Sequence, residues 1–173
     1  VKVDRDAIAD MVSGIASSVD RDAINAAVYV NDQEQILVRD AVDQREVDQD
    51  ESVDAIEEAL LGGDRAAELV VDSTPADIST ATAREVAATA ERLVADGLKL
   101  TWTGGGDELT RRELLAALTV ESNPSSSQQI KLGFDTGVLT SILEPVFDHL
   151  NVPAQNAQLR LVNNKVTVVQ KSK

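Results

Sequence analysis

Two stretches decide the fold: Asp4–Val30, DRDAIADMVSGIASSVDRDAINAAVYV, and Asp135–Leu161, DTGVLTSILEPVFDHLNVPAQNAQLRL. They align without a gap at an offset of 131 residues. Ile8, Met11, Val12, Ile15, Ala16 and Val19 fall on Leu139, Ile142, Leu143, Val146, Phe147 and Leu150, the stripe of one amphipathic helix written twice. Ala23, Asn25 and Ala26 recur as Ala154, Asn156 and Ala157. Val28 and Val30 then match Leu159 and Leu161 with the period of two that marks a half-buried strand. Asn31 to Glu34 and Asn163 with Asn164 are turn formers, after which Ile36 with Val38, or Val166 with Val168, restart the alternation. Only four of the 27 aligned pairs are identical, so the repeat rests on pattern. Each copy is expected to be helix, strand, turn, strand.

Outward from the repeat, the first copy continues into a helix with Asp50 as its N-cap, an apolar face of Val53, Ile56 and Leu60, and a stop at Gly62 and Gly63. Glu68 to Asp72 reads as a strand and Thr74 with Pro75 as a turn. A helix to about Asp96 follows, with Thr82 and Glu85 spaced as a capping box and Gly97 at its end. Leu98, Leu100 and Trp102 alternate with polar residues as a strand, and Gly104 to Gly106 form a turn. Thr110 with Glu113 cap a short helix through Leu114, Leu115 and Leu118. Asn123 to Gln129 is a polar loop, and Ile130, Leu132 and Phe134 form a strand. Pro145 predicts a kink or a later start in the second repeat helix. The expected fold class is α+β: a mixed or antiparallel sheet with helices packed on it, built from two related helix-hairpin units around a central strand-helix segment. The chain reads as a single module, with repeat units at about 4–62 and 134–173 and a central segment at about 65–133. Its opening at Val1 and its end just after a hairpin are expected of a piece of a longer polypeptide.

Composition excludes several function classes. In 173 residues, 16 Lys plus Arg face 30 Asp plus Glu, a net charge of −14 that disfavours nucleic acid and anionic lipid as partners. No apolar run approaches the roughly 20 residues of a membrane span. The absence of cysteine removes disulfides, thiolate metal sites and cysteine nucleophiles, and one histidine, His149, removes multi-histidine metal sites. His149 stands near a helix end, where an imidazolium would meet the last carbonyls favourably; general acid or base work would need a partner the sequence does not locate.

A helix followed by AINAAVYV or AQNAQLRL, a turn and a second strand resembles the peptidoglycan-binding domain found beside VanW-type and L,D-transpeptidase catalytic domains of bacterial surface proteins. Val47 to Leu61, with Asp48 and Asp50 ahead of the helix face, and the strand carrying Trp102 followed by a helix, are similar to that family as well. Val42 to Glu46 depart from it, standing where relatives often carry a glycine. The resemblance implies a non-catalytic, extracytoplasmic cell-wall or cell-surface module. Its partners would be wall glycan or stem peptide and an adjoining domain of the same chain, with no cofactor. It transfers no ligand-contacting residue. The alternatives are a structural or protein-interaction domain without glycan affinity, and a carboxylate-based hydrolase.

Three side chains are the ligand-binding candidates. The Trp102 indole can stack on a sugar ring, although its strand face, shared with Leu98 and Leu100, favours core or half-buried packing. Arg111 and Arg112, in the first turn of a helix, can meet a stem-peptide carboxylate through forked donors or simply face solvent. The acidic stretch from Asp43 to Asp54 fails the EF-hand spacing, with Val53 and Ala59 where glycine and glutamate are required, so no metal site is expected. The run Gly104 to Asp107 lacks the lysine of a phosphate loop. No catalytic residue is assigned.

Overall fold

The computed structural model describes residues 3–150, 158–162 and 165–170. The N-terminal unit begins with α1 (Arg5–Val19), whose first turn is held by Asp4 accepting the Ala7 N–H at 3.3 Å. Ile8, Val12 and Ala16 are its buried stripe. β1 (Ala27–Val30) and β2 (Ile36–Arg39) form an antiparallel hairpin, with Val28 opposite Val38 and Val30 opposite Ile36. Its turn is organised by the Asn31 carboxamide, which accepts from Gln33 and Gln35 N–H, and it places Glu34 at φ 61°, in the left-handed region.

β3 (Gln44–Val47) leads into α2 (Gln49–Gly62), and β4 (Val71–Thr74) returns to pair antiparallel with β3 across that helix. Asp48, not Asp50, is the N-cap of α2, because its carboxylate receives the Glu51 N–H at 2.9 Å. Leu60, expected on the buried face, is 53% exposed; Ser52 takes the inward position instead and is fully buried. Its hydroxyl accepts from the Val70 N–H and donates to the Val70 carbonyl, tying α2 to the segment that enters β4. Ile8, Val12, Ala16, Val47, Val53 and Ile56 form the first core. On its rim, the Arg5 guanidinium joins Asp54 and Glu57 across the two helices.

The second core lies between the β1–β2 hairpin and α3 (Thr80–Val94), from Ala26, Val28, Ile78, Ala83, Ala87 and Ile130. The capping box expected at Thr82 and Glu85 lies one turn too late: Ser79 is the cap and accepts the Thr82 N–H at 3.1 Å. β5 (Leu98–Trp102) pairs with β6 (Gly105–Leu109), so two of the three glycines read as a turn are strand residues. α4 (Arg111–Ala117) stops before Leu118, where the chain continues directly as β7 (Leu118–Ser122), a strand hidden in the apolar run 114–120. β7 pairs with β8 (Ile130–Phe134) across the expected polar loop. Val94, Leu109, Leu114 and Leu115 make the third core, against Leu139, Ile142 and Leu143 of α5 (Thr136–Leu150).

α5 does not start late. Asp135 accepts from the Gly137 and Val138 N–H groups at 2.8 and 2.9 Å, and the helix runs through Pro145. Asp4 and Asp135 thus hold N–H groups of the equivalent residues Ala7 and Val138, 131 positions apart. β9 (Gln158–Val162) and β10 (Lys165–Gln170) then form a hairpin with Leu159 opposite Val168 and Leu161 opposite Val166. Leu159 and Leu161 keep the 131-residue offset from Val28 and Val30, whereas their partners lie 130 from Val38 and Ile36. The register of the second hairpin is therefore offset by one residue from that of the first. The recurrent Ala154, Asn156 and Ala157 lie outside the described residues.

The architecture is α+β. Every described ladder is antiparallel and two-stranded, with helices covering the ladders rather than one continuous sheet.

Candidate functional site

Trp102 closes the tip of the β5–β6 hairpin, directly opposite Gly105. A Cβ on Gly105 would lie 3.0 Å from the indole Nε1 and 3.2 Å from Cε2, so the ring lies close against that residue and a side chain there would crowd it. The indole is half-buried, Leu100 of the same face packs against the third core, and Leu98 is exposed. The Nε1 side of the indole is thus close against the chain's own backbone at Gly105.

Arg111 and Arg112 are at the opposite end of this hairpin. The strand from Gly105 to Leu109 covers about 14 Å at the usual rise of about 3.4 Å per residue, so the structure does not bring the arginines to the indole. It brings them to the β1–β2 turn instead. Arg111 donates to the Glu34 main-chain carbonyl at 3.0 Å and grips the Glu91 carboxylate at 3.0 and 3.3 Å. Arg112 Nε pairs with the Glu34 carboxylate at 2.9 Å. Together they hold a non-glycine residue in a left-handed conformation from both its backbone and its side chain. A ligand carboxylate at this place would have to compete with Glu34 and Glu91.

Between the two arginines and the hairpin, Thr110 and Glu113 form the expected capping box. Glu113 accepts from the Thr110 N–H and hydroxyl, both at 2.7 Å. The Thr110 backbone donor first, and its hydroxyl second, hold the Glu113 carboxyl below its ordinary value of 4.5. A group with a depressed folded pKa stabilises fully above its unfolded pKa, and that contribution is lost as pH falls through the lowered one. Glu113→Gln is therefore expected to be less stable than the parent at pH 7, with the difference closing below pH 4.5. Urea titrations at a series of pH values check this, and a constant difference down to the acid limit would contradict it. Glu113 is held charged, the opposite of what a general acid needs.

The acidic stretch serves the fold. Asp48 caps α2, Asp54 meets Arg5, and Asp43 accepts the Ala76 N–H at 3.2 Å. Among the described residues, no group of three or more His, Asp or Glu is arranged to hold a metal ion. No described helix is long and apolar enough to cross a membrane. His149 is in the last turn of α5.

Besides a pocket at Val3 to Asp6, two clefts lie among the described residues of the N-terminal unit. One, of about 380 Å³, runs between α1 and α2 and is lined by Met11, Ile15, Ile56, Leu60 and Leu69 among others. Met11, Leu60 and Leu61 nearby are each at least half exposed. The other, of about 320 Å³, is polar and lies between Asp20–Asp22 and Gln44–Glu46. Composition and periodicity signalled neither, since both depend on which helix and which strand become neighbours.

No curated protein and no solved structure matches the chain. The family model described as "Putative peptidoglycan binding domain" matches residues 1–67, which span α1, the β1–β2 hairpin, β3 and α2, and this is the family that the N-terminal unit is similar to.

Proposed function

We propose that this chain is a non-catalytic module of a bacterial cell-surface protein, acting outside the cytoplasm to bind peptidoglycan or to space an adjoining domain from it. The observation that carries the reading is the family match over residues 1–67, the segment that supplies nearly all of the first core. The matching N-caps of α1 and α5, each helix being followed by an antiparallel hairpin, support a second statement: the α1–β1–β2 and α5–β9–β10 units are copies of one building block, flanking a central segment. The acidic surface makes anionic wall polymer a poor partner and favours neutral glycan or peptide. Trp102 is the stacking candidate for a sugar ring. Arg111 and Arg112 offer donors only in exchange for Glu34 and Glu91.

The test is sedimentation of the full chain with purified insoluble wall. The chain is expected in the pellet, and Trp102→Ala is expected to weaken retention about tenfold, the equivalent of about 1.4 kcal/mol of stacking. Retention unchanged in a folded Trp102→Ala protein would remove the indole from the site. A chain wholly in the supernatant at low and moderate salt would refute direct binding. The exposed apolar cleft between α1 and α2 favours a protein-interaction module as the second reading, and that outcome would leave it in place.

A further inference from the structure

We propose that Arg21 and Arg45 form a carboxylate clamp in the polar cleft of the N-terminal unit, taking a peptide end that carries a carboxylate beside an ammonium group. The inference rests on the wall-binding reading above and names the part of the polymer that this cleft would hold. Arg21 and Arg45 face each other across an isolated antiparallel bridge, exchanging both backbone hydrogen bonds, Arg21 N–H to Arg45 O at 2.9 Å and Arg45 N–H to Arg21 O at 3.0 Å. Directly opposed residues of such a pair project from the same face, where like charges repel. In a chain with 30 acids to 16 bases, two guanidiniums placed in register carry a cost that packing does not require.

Arg5, Arg84, Arg111 and Arg112 each meet a carboxylate, and Arg39, Arg65 and Arg92 form no ion pair among the described residues. Among the described residues, neither Arg21 nor Arg45 has an ion-pair partner. Arg21 is oriented by Nε donating to the Asp43 main-chain carbonyl at 3.1 Å, which leaves its terminal N–H groups available. The nearby Asp20 carboxylate is committed to the Val47 N–H at 2.8 Å. The cleft they line has a volume of about 320 Å³, enough for the end of a short peptide. Two forked donors suit a planar carboxylate. Asp22 and Glu46 also line the cleft, where Glu46 accepts from the Gln44 side chain at 3.4 Å, and the two carboxylates leave an acceptor for an ammonium and oppose a dianionic phosphate.

The experiment titrates the full chain with a soluble stem-peptide fragment ending in a free carboxylate, with the same peptide amidated at its C-terminus, and with inorganic phosphate. The free acid is expected to bind at least tenfold more tightly than the amide. Arg21→Gln and Arg45→Gln are each expected to weaken it tenfold or more, with thermal midpoints no lower than the parent because the opposed charges are relieved. Equal binding of acid and amide, unchanged binding by both variants, or phosphate binding tighter than the peptide would overturn the clamp. The wall assay separates the two readings. A chain that pellets with wall but shows no carboxylate preference refutes the clamp alone. A chain that takes the peptide through both arginines yet never pellets refutes wall retention and keeps the clamp.

Discussion

Ile78→Ala is expected to destabilise the chain by about 3–5 kcal/mol, the upper part of the usual range for such a truncation. Ile78 is 1% exposed and sits at the centre of the second core. Three other buried members of this core, Ala26 just ahead of β1 and Ala83 and Ala87 on α3, are alanines, and an alanine has no side chain that can swing into the vacated space. The backbone around it is pinned as well: the Ile78 N–H meets the Asn25 carboxamide oxygen at 2.9 Å, and the Ala26 N–H meets the Ile78 carbonyl at 3.0 Å. The cavity therefore persists, and its cost adds to the lost transfer free energy. Urea unfolding measures the effect. A loss below about 1 kcal/mol, less than the removed methylenes alone contribute, would show that this core is not packed as described.

Gly97→Ala is expected to cost about 2–4 kcal/mol, from two separate sources. Gly97 has φ +65°, a conformation that an L side chain adopts at a cost, and a Cβ there would fall 2.4 Å from the Leu109 carbonyl oxygen. That oxygen is main chain and Leu109 is itself buried, opposite Leu98 in the β5–β6 ladder, so neither partner can rotate away. The substitution should reduce the midpoint in urea and loosen the hairpin that carries Trp102. Fluorescence of the sole tryptophan gives a second readout, and an unshifted spectrum together with an unchanged midpoint would contradict the close approach.

The legible parts of this fold are those governed by local rules. The stripe from Ile8 to Val19, the alternation at Val28 and Val30, and the Thr110–Glu113 spacing each correspond to elements whose signals lie among neighbours in sequence. β3 was not legible: Gln44, Arg45 and Glu46 are polar, and they become a strand because Val71 to Thr74 pair with them from across α2. β7 was hidden for the opposite reason, since the apolar run 114–120 satisfies a helix and a strand equally until Leu118 pairs with Phe134. At α3 the Thr82–Glu85 spacing gives way to Ser79, whose hydroxyl takes the Thr82 N–H one turn earlier. At the candidate site, the half-burial of Trp102 followed from its strand face. Its contact with Gly105 did not, because a hairpin register is a pairing property. The engagement of Arg111 and Arg112 with Glu34 joins residues 77 or more positions apart and has no local signature.

The return of β4 onto β3 reaches beyond the segment that the family model matches. Residues 1–67 hold one strand of that ladder, and the other begins at Val71. Cutting the polypeptide at the end of the matched segment would strip an edge from that unit, strand the buried Ser52 hydroxyl without Val70, and detach Ile78 from Asn25. The contacts that hold the matched segment thus extend past the residues that the family model covers.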